Sequence, residues 1–304
     1  MRALVTGGGG FLGRHVVHAL AEAGGHVRCV TGPPASGLAA PPGATEAFEA
    51  DICDTRALRD HATGADVIVH LAGPPSVAQS FANACEYVRV HVEGTASVLE
   101  ATRLAGVPRV VYISSAEIYG CPVSNPVDED CPPQPRSPYA AAKGGAEKLV
   151  EAWRHCYGHT AVVLRPFSIY GPGASPHSLI GRIMSQLRSG EDIVLEDLRP
   201  VRDYCFVSDF ARAVVRACCR TVECGVFNIG SMEGTSVETI AALMRNAAGS
   251  RARIMVDASR RRPSEVQHLV ADNRRARLLL GWRPEIRLAD GLTLVLRGGA
   301  TCES

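Results

Sequence analysis

Residues 2–13 read RALVTGGGGFLG, and this stretch decides the fold. Residues 2–6 form a short apolar run that predicts a buried strand, and a helical pattern then extends from Phe11 to about Ala23. Glycines between a strand and a helix let the backbone approach a pyrophosphate, and the free N–H groups at the helix N-terminus attract negative charge. The stretch therefore predicts a dinucleotide-binding turn that contains Gly7, Gly10, Phe11, Leu12 and Gly13.

The alternation of strand and helix continues to about residue 165. Apolar runs predict strands at 26–31, 45–50, 66–71, 109–114 and 160–164, with helices at 54–61, 84–105 and 139–157. This order is typical of a doubly wound parallel sheet, in which ligands bind outside the carboxyl ends of the strands. We therefore expect an α/β fold with a Rossmann domain at 1–165. The alternation of strand and helix loosens after residue 165.

The second predicted strand lacks the acid that usually follows such strands. Folds that bind NAD often place Asp or Glu there for the ribose hydroxyls, but Thr31 stands at this position and no acid occurs from Ala23 to Thr45. This absence allows NADP as well as NAD, although no arginine follows the strand to hold a 2′-phosphate. Asp51 has two interpretations, an acceptor for the adenine amino group or a cap for the helix at 54–61. The remaining candidate cofactor residues at this sheet edge are Ile52, Leu71, Ala72, Gly73, Ser114 and Pro166.

The chemistry is predicted at Tyr139 and Lys143. Their spacing of four places both side chains on one face of a helix, and Ser137-Pro138 is a typical helix start. A phenol with a pKa of about 10 is a poor base at neutral pH, and a nearby ammonium is expected to lower that pKa. The pair then suits proton removal from a sugar or alcohol hydroxyl. Ser115, at the end of the fifth strand, is placed to bond the same hydroxyl, and Glu117 is either a second acid/base or a structural carboxylate.

Composition narrows the class of protein. The chain has 304 residues, 46% hydrophobic content and a formal net charge of +1, which gives no electrostatic bias towards nucleic acid or a membrane. No apolar run reaches the roughly 20 residues that span a bilayer, and no targeting leader is evident. The 11 cysteines are scattered without a Cys-x-x-Cys pair, so we expect no metal site and a reducing, cytoplasmic location.

With these residues in view, the chain resembles the extended short-chain dehydrogenase/reductase superfamily, and within it the nucleotide-sugar epimerase/dehydratase family. The resemblance covers nearly the whole sequence. It rests on the glycine stretch, His70-Leu71-Ala72-Gly73, Ser114-Ser115 with Tyr119-Gly120, Tyr139 and Lys143, Leu164-Arg165-Pro166-Phe167 with Tyr170-Gly171-Pro172-Gly173, Arg202-Asp203-Tyr204, and Arg262-Pro263 with Leu280-Gly281-Trp282.

The resemblance implies a smaller C-terminal α/β substrate lobe at 166–304, with segments near 202–230 returning to the Rossmann domain, and it implies a role for several residues. Tyr139 would be the base, Lys143 would hold the cofactor ribose and tune Tyr139, and Ser115 would orient the sugar 4-hydroxyl. Arg202 and Arg262 would hold the diphosphate of a nucleoside-diphosphate sugar, with Ser76 and Ser168 as further substrate residues. The implied cofactor is NAD, with NADP allowed, and a homodimer formed through the helices at 84–105 and 139–157 is expected.

The fate of the implied 4-keto sugar divides the family. Dehydratases carry an Asp-Glu pair after the hydroxyl residue, whereas this chain has Ala116-Glu117, which favours an epimerase acting at C4. The open alternatives are an NADPH-dependent 4-ketoreductase, suggested by Thr31, and a dehydratase or decarboxylase that uses Glu117. A non-enzymatic dinucleotide-binding protein is disfavoured by the intact Ser, Tyr and Lys. Two further departures are Ser168 and His91, each at a position where asparagine is usual.

Overall fold

The computed structural model describes residues 1–33, 36–260 and 266–298. Its strands are β1 (Arg2–Thr6), β2 (His26–Gly32), β3 (Glu46–Glu49), β4 (Val67–His70), β5 (Arg109–Ile113), β6 (Thr160–Pro166), β7 (Ser168–Tyr170), β8 (Ile193–Leu195), β9 (Val201–Phe206), β10 (Gly225–Ile229), β11 (Gly234–Ser236), β12 (Ile254–Val256) and β13 (His268–Leu269). Its α-helices are α1 (Phe11–Glu22), α2 (Thr55–Ala62), α3 (Val77–Ser80), α4 (Ala84–Val88), α5 (Gly94–Leu104), α6 (Pro138–Tyr157), α7 (Leu179–Arg188), α8 (Val207–Ala217), α9 (Val237–Ala247) and α10 (Leu288–Gly298).

The main sheet has seven parallel strands in the order β3-β2-β1-β4-β5-β6-β10 within the described residues. The chain adds β2 and β3 on one side of β1 and then β4, β5, β6 and β10 on the other side. The order therefore reverses between β1 and β4, whose carboxyl ends lie side by side where Thr6 pairs with His70. This is the doubly wound sheet expected from the sequence, and the α/β fold prediction is confirmed.

Both faces of the sheet are covered by helices. In β1, Ala3 and Val5 pack into the core beneath α1 and α8, while Leu4 between them packs into the core beneath α2 and α5. A third cluster joins β5 and β6 to α5 and α6, with Tyr112 at its centre. Strands buried on both sides need apolar residues in succession, which explains the continuous apolar runs in the sequence.

A smaller lobe sits beyond the carboxyl edge. It contains β7, β9, β11 and β13 in one sheet and β8 with β12 in another, packed with α7, α9 and α10 around a separate apolar core. The segment 207–229 supplies α8 and β10 to the layers of the main sheet, while the domain boundary at residue 165 stays a prediction. No helix in the three described ranges is both long and apolar enough to cross a membrane.

One predicted helix has a different form. The sequence indicates a single helix at 84–105, whereas the structure has α4, then a π-helical turn at Arg89–Glu93, then α5. A π-turn fits one extra residue into a helical turn and so changes which side chains face inward. Here the turn contains His91, which is buried against the carboxyl edge of the sheet.

Candidate active site

The glycine turn is tightly packed and open to an anion. Gly7 has a φ of +74°, and a Cβ added to it would lie 2.7 Å from the Cα of Ala72. A Cβ added to Gly13 would lie 2.1 Å from the carbonyl oxygen of Gly7. Helix α1, which Phe11 opens, has Gly10 as its N-cap, no capping side chain and no acid in its first turn. These residues therefore fit the pyrophosphate of a dinucleotide.

A buried histidine supports the turn from below. The Thr95 hydroxyl donates to the carbonyl oxygen of His91 at 2.5 Å and so accepts from Nε2–H of His70 at 3.1 Å. Nδ1 of His70 then accepts from the Thr6 hydroxyl at 2.7 Å. Burial lowers the pKa of His70 to about 3, so the ring is neutral. It joins β1, β4 and α5 directly beneath the segment 71–73, which the sequence predicts to contact the cofactor.

The predicted adenosine end has its own hydrogen bonds. The Thr31 hydroxyl is buried and donates to the carbonyl oxygen of Phe48 at 3.2 Å. The carboxylate of Asp51 accepts from the backbone N–H of Cys53 and lies 3.2 Å from Nη1 of Arg89. These two contacts, the backbone bond first, lower the pKa of Asp51 against a smaller opposing effect of burial. The capping interpretation of Asp51 was wrong, because the side chain that caps α2 is Asp54. Ile52 is buried in the core beneath α2 and α5.

Helix α6 carries the predicted catalytic pair into the protein interior. The Ser137 hydroxyl caps its N-terminus by accepting from the backbone N–H of Ala140 at 3.1 Å. Tyr139 and Lys143 are then both buried. Nζ of Lys143 donates to the carbonyl oxygen of Ile113 at 2.8 Å, which anchors it to the end of β5.

The turn after β5 brings serine residues to the same place. The Ser115 side chain lies close enough to Tyr139 to oppose the rise in its pKa, and Oγ of Ser115 accepts from the backbone N–H of Glu117 at 3.2 Å. Ser114, just before it, is buried, and its hydroxyl has no hydrogen-bond partner among the described residues. The structure thus brings Ser114, Ser115, Tyr139 and Lys143 together at the carboxyl edge, as the sequence predicts.

Burial dominates the electrostatics of this pair. It raises the pKa of Tyr139 to about 12, and the neighbouring Ser115 side chain opposes the shift only in part. It lowers the pKa of Lys143 to about 7, against the opposing charge of Glu147. The expectation that Lys143 leaves Tyr139 with a lowered pKa was therefore wrong for this structure. Removal of the phenol from water destabilises its anion more than the neighbouring groups stabilise that anion.

A buried ion pair fixes the next turn of α6. Nε and Nη2 of Arg165 donate to the two carboxylate oxygens of Glu147 at 3.0 and 2.7 Å. Nη1 of Arg165 also donates to the Tyr119 hydroxyl at 2.8 Å and to the carbonyl oxygen of Glu129 at 3.0 Å. The pair joins α6 to β6 one turn beyond Lys143, and this role was not foreseen from the sequence.

A cavity of about 520 Å³ lies between the carboxyl edge and the smaller lobe. Glu117, Ser168 and Arg202 all line it, so three residues predicted for catalysis or substrate meet in one space. Arg182 and Glu196 also line it, and Arg182 makes two hydrogen bonds to the carboxylate of Glu196, an ion pair that was not predicted.

The other predicted residues border this space or fall elsewhere. Ser76 caps α3 by accepting from the backbone N–H of Gln79 at 3.2 Å, and Val77 beside it lines the cavity. Pro166 ends β6, directly before the segment that carries Ser168. Arg262 lies outside the described residues. The described residues also contain no group of three or more His, Cys, Asp or Glu side chains arranged to hold a metal ion.

The sequence pattern of the NAD dependent epimerase/dehydratase family matches residues 3–230. The chain belongs to this family. A UDP-glucose 4-epimerase of Azospirillum brasilense is 32% identical to it over 96% of this chain and 89% of the relative. A dTDP-glucose 4,6-dehydratase of Streptomyces niveus is also 32% identical, over 96% of this chain and 90% of the relative.

A solved structure agrees with these relatives. MoeE5 in complex with UDP-glucuronic acid and NAD superposes with a TM-score of 0.91 at 30% identity, covering 99% of each chain. The family member described here is therefore an enzyme whose structural neighbours include one solved with NAD and a nucleotide sugar. Its relatives include both epimerases and dehydratases, so membership fixes the family of reactions and leaves the individual reaction to the residues.

Proposed function

We propose that the enzyme is an NAD-dependent epimerase that inverts C4 of a nucleoside-diphosphate sugar. The observation that carries this proposal is the buried Ser115, Tyr139 and Lys143 group next to a cavity lined by Arg202, combined with Ala116 where a dehydratase has its additional acid. Sugar and diphosphate would lie in that cavity, with Arg202 and Arg262 on the phosphates.

Each residue of the group has one task. Tyr139 takes the proton from the sugar 4-hydroxyl while Ser115 holds that oxygen in place. NAD, when bound, would supply the hydride acceptor for C4 and then the hydride donor for the opposite face of the 4-keto carbon, so that C4 is inverted with no net redox change. A pKa of about 12 keeps the Tyr139 phenol protonated at neutral pH, which suits the return step, whereas the forward step requires nearby positive charge that favours the phenolate. Lys143, fixed by the carbonyl of Ile113, would bond the cofactor ribose and, in its protonated form, supply such a charge. Gly7, Gly10 and Gly13 would hold the pyrophosphate.

The first test identifies the cofactor and the product. The purified protein is denatured without added cofactor, the released dinucleotide is identified and counted, and intact protein is incubated with UDP-, dTDP- and GDP-hexoses. We expect close to one NAD per chain and interconversion of 4-epimers with no net change in absorbance at 340 nm. Steady consumption of added NADPH with a nucleoside-diphosphate 4-keto sugar as substrate would instead identify a 4-ketoreductase.

A second candidate is supported by the position of Glu117. Its carboxylate lies on the 3₁₀ turn after Ser115 and lines the cavity, so it could supply the acid/base group of a dehydratase or decarboxylase. A Glu117→Gln variant separates the two. Loss of product formation with retained NAD would favour elimination or decarboxylation, and near wild-type epimerisation would exclude that role. The homodimer and the cytoplasmic location stay predictions, to be checked by light scattering and by fractionation.

A further inference from the structure

Two aromatic side chains that the proposed chemistry does not use contact both the segment after β4 and Tyr139. Tyr87 lies at the end of α4 and His91 lies one turn later, in the π-helical turn. Both are about 98% buried, with relative exposures of 2%. Neither enters the proposed chemistry, yet both point to the carboxyl edge of the sheet.

Each of the two side chains bonds the same short segment, residues 73–76, which is called the edge loop below. The Tyr87 hydroxyl donates to the carbonyl oxygen of Ser76 at 2.7 Å. Nε2 of His91 lies 3.1 Å from the carbonyl oxygen of Pro74, which can only accept, so this nitrogen carries the proton. The edge loop begins at Gly73, the last of the predicted cofactor residues after β4. Val77, which follows the loop, lines the cavity proposed for the sugar.

The same two rings contact Tyr139. The centroid of the His91 ring lies 5.4 Å from that of Tyr139 at an interplanar angle of 78°, and the Tyr87 centroid lies 6.2 Å away at 82°. Both geometries are edge-to-face contacts of the kind that aromatic rings prefer. One helix face thus bonds the edge loop and packs the catalytic phenol at once.

The His91 ring is packed closely against Gly73 of the edge loop. Gly73 has a φ of +140°, and a Cβ added to it would lie 2.3 Å from Cε1 of His91. The imidazole is therefore wedged between Gly73 and Tyr139. Burial and the nearby Lys143 charge lower the pKa of His91 to about 3, so the ring is neutral and its hydrogen-bond pattern is constant through the neutral range.

We propose that Tyr87 and His91 are positioning residues that fix the edge loop relative to the Tyr139 phenol. The inference rests on the proposed function for the identity of the reacting group. It predicts that weakening either contact loosens NAD binding, because the loop beside the cofactor cleft moves, and slows turnover, because Tyr139 loses its orientation. If Tyr87 and His91 only stabilised the fold, their substitution would lower the melting temperature without changing turnover per NAD-loaded site.

The variants separate the two contacts. Tyr87→Phe removes only the bond to Ser76 and keeps the ring against Tyr139, whereas Tyr87→Leu removes both. His91→Ala removes the bond to Pro74 and the ring, and His91→Asn restores an N–H donor. The matched control is Tyr157→Phe, the same chemical change at a tyrosine of α6 that is 52% exposed.

Two quantities are measured on folded protein: the NAD Kd by fluorescence titration of stripped protein, and turnover per NAD-loaded chain. We expect Tyr87→Phe to raise the Kd by about 3- to 10-fold, the effect of one hydrogen bond, with a small effect on turnover. Tyr87→Leu and His91→Ala should also lower turnover about 10- to 100-fold, as lost supporting contacts do at other active sites. His91→Asn should recover part of the Kd, and Tyr157→Phe should match wild type.

A double-variant comparison decides whether the effect passes through the Tyr139 hydroxyl. In a Tyr139→Phe background, Tyr87→Leu should lower the residual turnover much less than it does in wild type, because the group that it orients is already gone. An equal loss in both backgrounds, or an unchanged Kd in Tyr87→Phe and His91→Ala, would overturn the inference. If wild type binds NAD but no epimer forms, the proposed function fails while the NAD affinities still test the contacts with the edge loop.

Discussion

The two ends of the proposed substrate path are built differently. At the reacting end, Ser115, Tyr139 and Lys143 are 7, 9 and 5% exposed, and hydrogen bonds hold Ser115 to the backbone of Glu117 and Lys143 to the carbonyl oxygen of Ile113. At the cavity wall, the Arg182 and Glu196 side chains are 33 and 28% exposed and form an ion pair. Burial shifts the proton affinities of the first group strongly, while solvent screens the charges of the second. We therefore expect substitutions at the reacting end to change mainly the rate of the chemical step, and substitutions at the cavity wall to change mainly substrate binding.

The largest expected effect lies at the reacting end. Tyr139→Phe removes the proton acceptor and keeps the ring against His91, so we expect kcat to fall by about 10²- to 10⁴-fold, the usual contribution of a positioned acid or base, with KM little changed. Steady-state kinetics with NAD occupancy measured in parallel checks this. A loss of only a few-fold would remove Tyr139 from the catalytic role.

The next prediction concerns the buried ion pair between Glu147 and Arg165, which supports the reacting end without taking part in the proposed chemistry. Glu147→Gln leaves the Arg165 guanidinium buried without its carboxylate, and breaking such a pair typically costs about 3–5 kcal/mol in the free energy of unfolding. Urea denaturation measures it. The matched control is Glu151→Gln, one turn further along α6, whose partner Lys148 is 76% exposed, and there we expect a change below about 1 kcal/mol. Equal effects in the two variants would contradict the contrast between buried and exposed pairs.

At the cavity wall the expected effect is on binding. Arg202→Gln removes a cation from the wall where the diphosphate is proposed to lie, and a charge-assisted hydrogen bond contributes about 1.5–3 kcal/mol. We therefore expect KM for the nucleotide sugar to rise by about 10- to 100-fold with kcat within a few-fold of wild type. Arg188→Gln, at an exposed position on α7, is the control. A fall in kcat without a rise in KM would place Arg202 at the reacting end instead.

The same contrast explains what the sequence could and could not reveal. The glycine turn at Gly7–Gly13 and the start of α6 at Ser137 depend on neighbours in the chain, so local patterns were enough to predict them. Strands as short as β8, β12 and β13 give no periodicity, and they were missed. The contacts of Tyr87 and His91 with the edge loop form only when β4 and α6 come together, and no spacing in the sequence indicates them.

The proton affinity of the catalytic pair was misjudged for the same physical reason. A spacing of four residues places a tyrosine and a lysine on one helix face, and it correctly brought Tyr139 and Lys143 together. It says nothing of how much water remains around them. Because the pair is buried, desolvation outweighs the opposing effects of Ser115 on Tyr139 and of Glu147 on Lys143, and it moves both pKa values towards the neutral forms.

The smallest expected effect tests that desolvation directly. Burial lowers the pKa of Lys143 to about 7, while in the unfolded chain it returns to about 10.4. Between these two values the unfolded state holds the proton and the folded state does not, so this group makes the free energy of unfolding rise with pH. Below about pH 7 both states are protonated and the contribution is flat.

The Lys143→Met variant removes this titration and keeps an unbranched apolar side chain in the same space. We therefore expect wild type to gain stability relative to the variant as the pH rises from 7 to 8.5, measured by urea denaturation at matched ionic strength. The buried cysteines titrate at higher pH and are common to both proteins, so they cancel in the difference. A constant difference across this window would mean that Lys143 keeps its proton in the folded protein, and that its charge, rather than its burial, governs the reacting end.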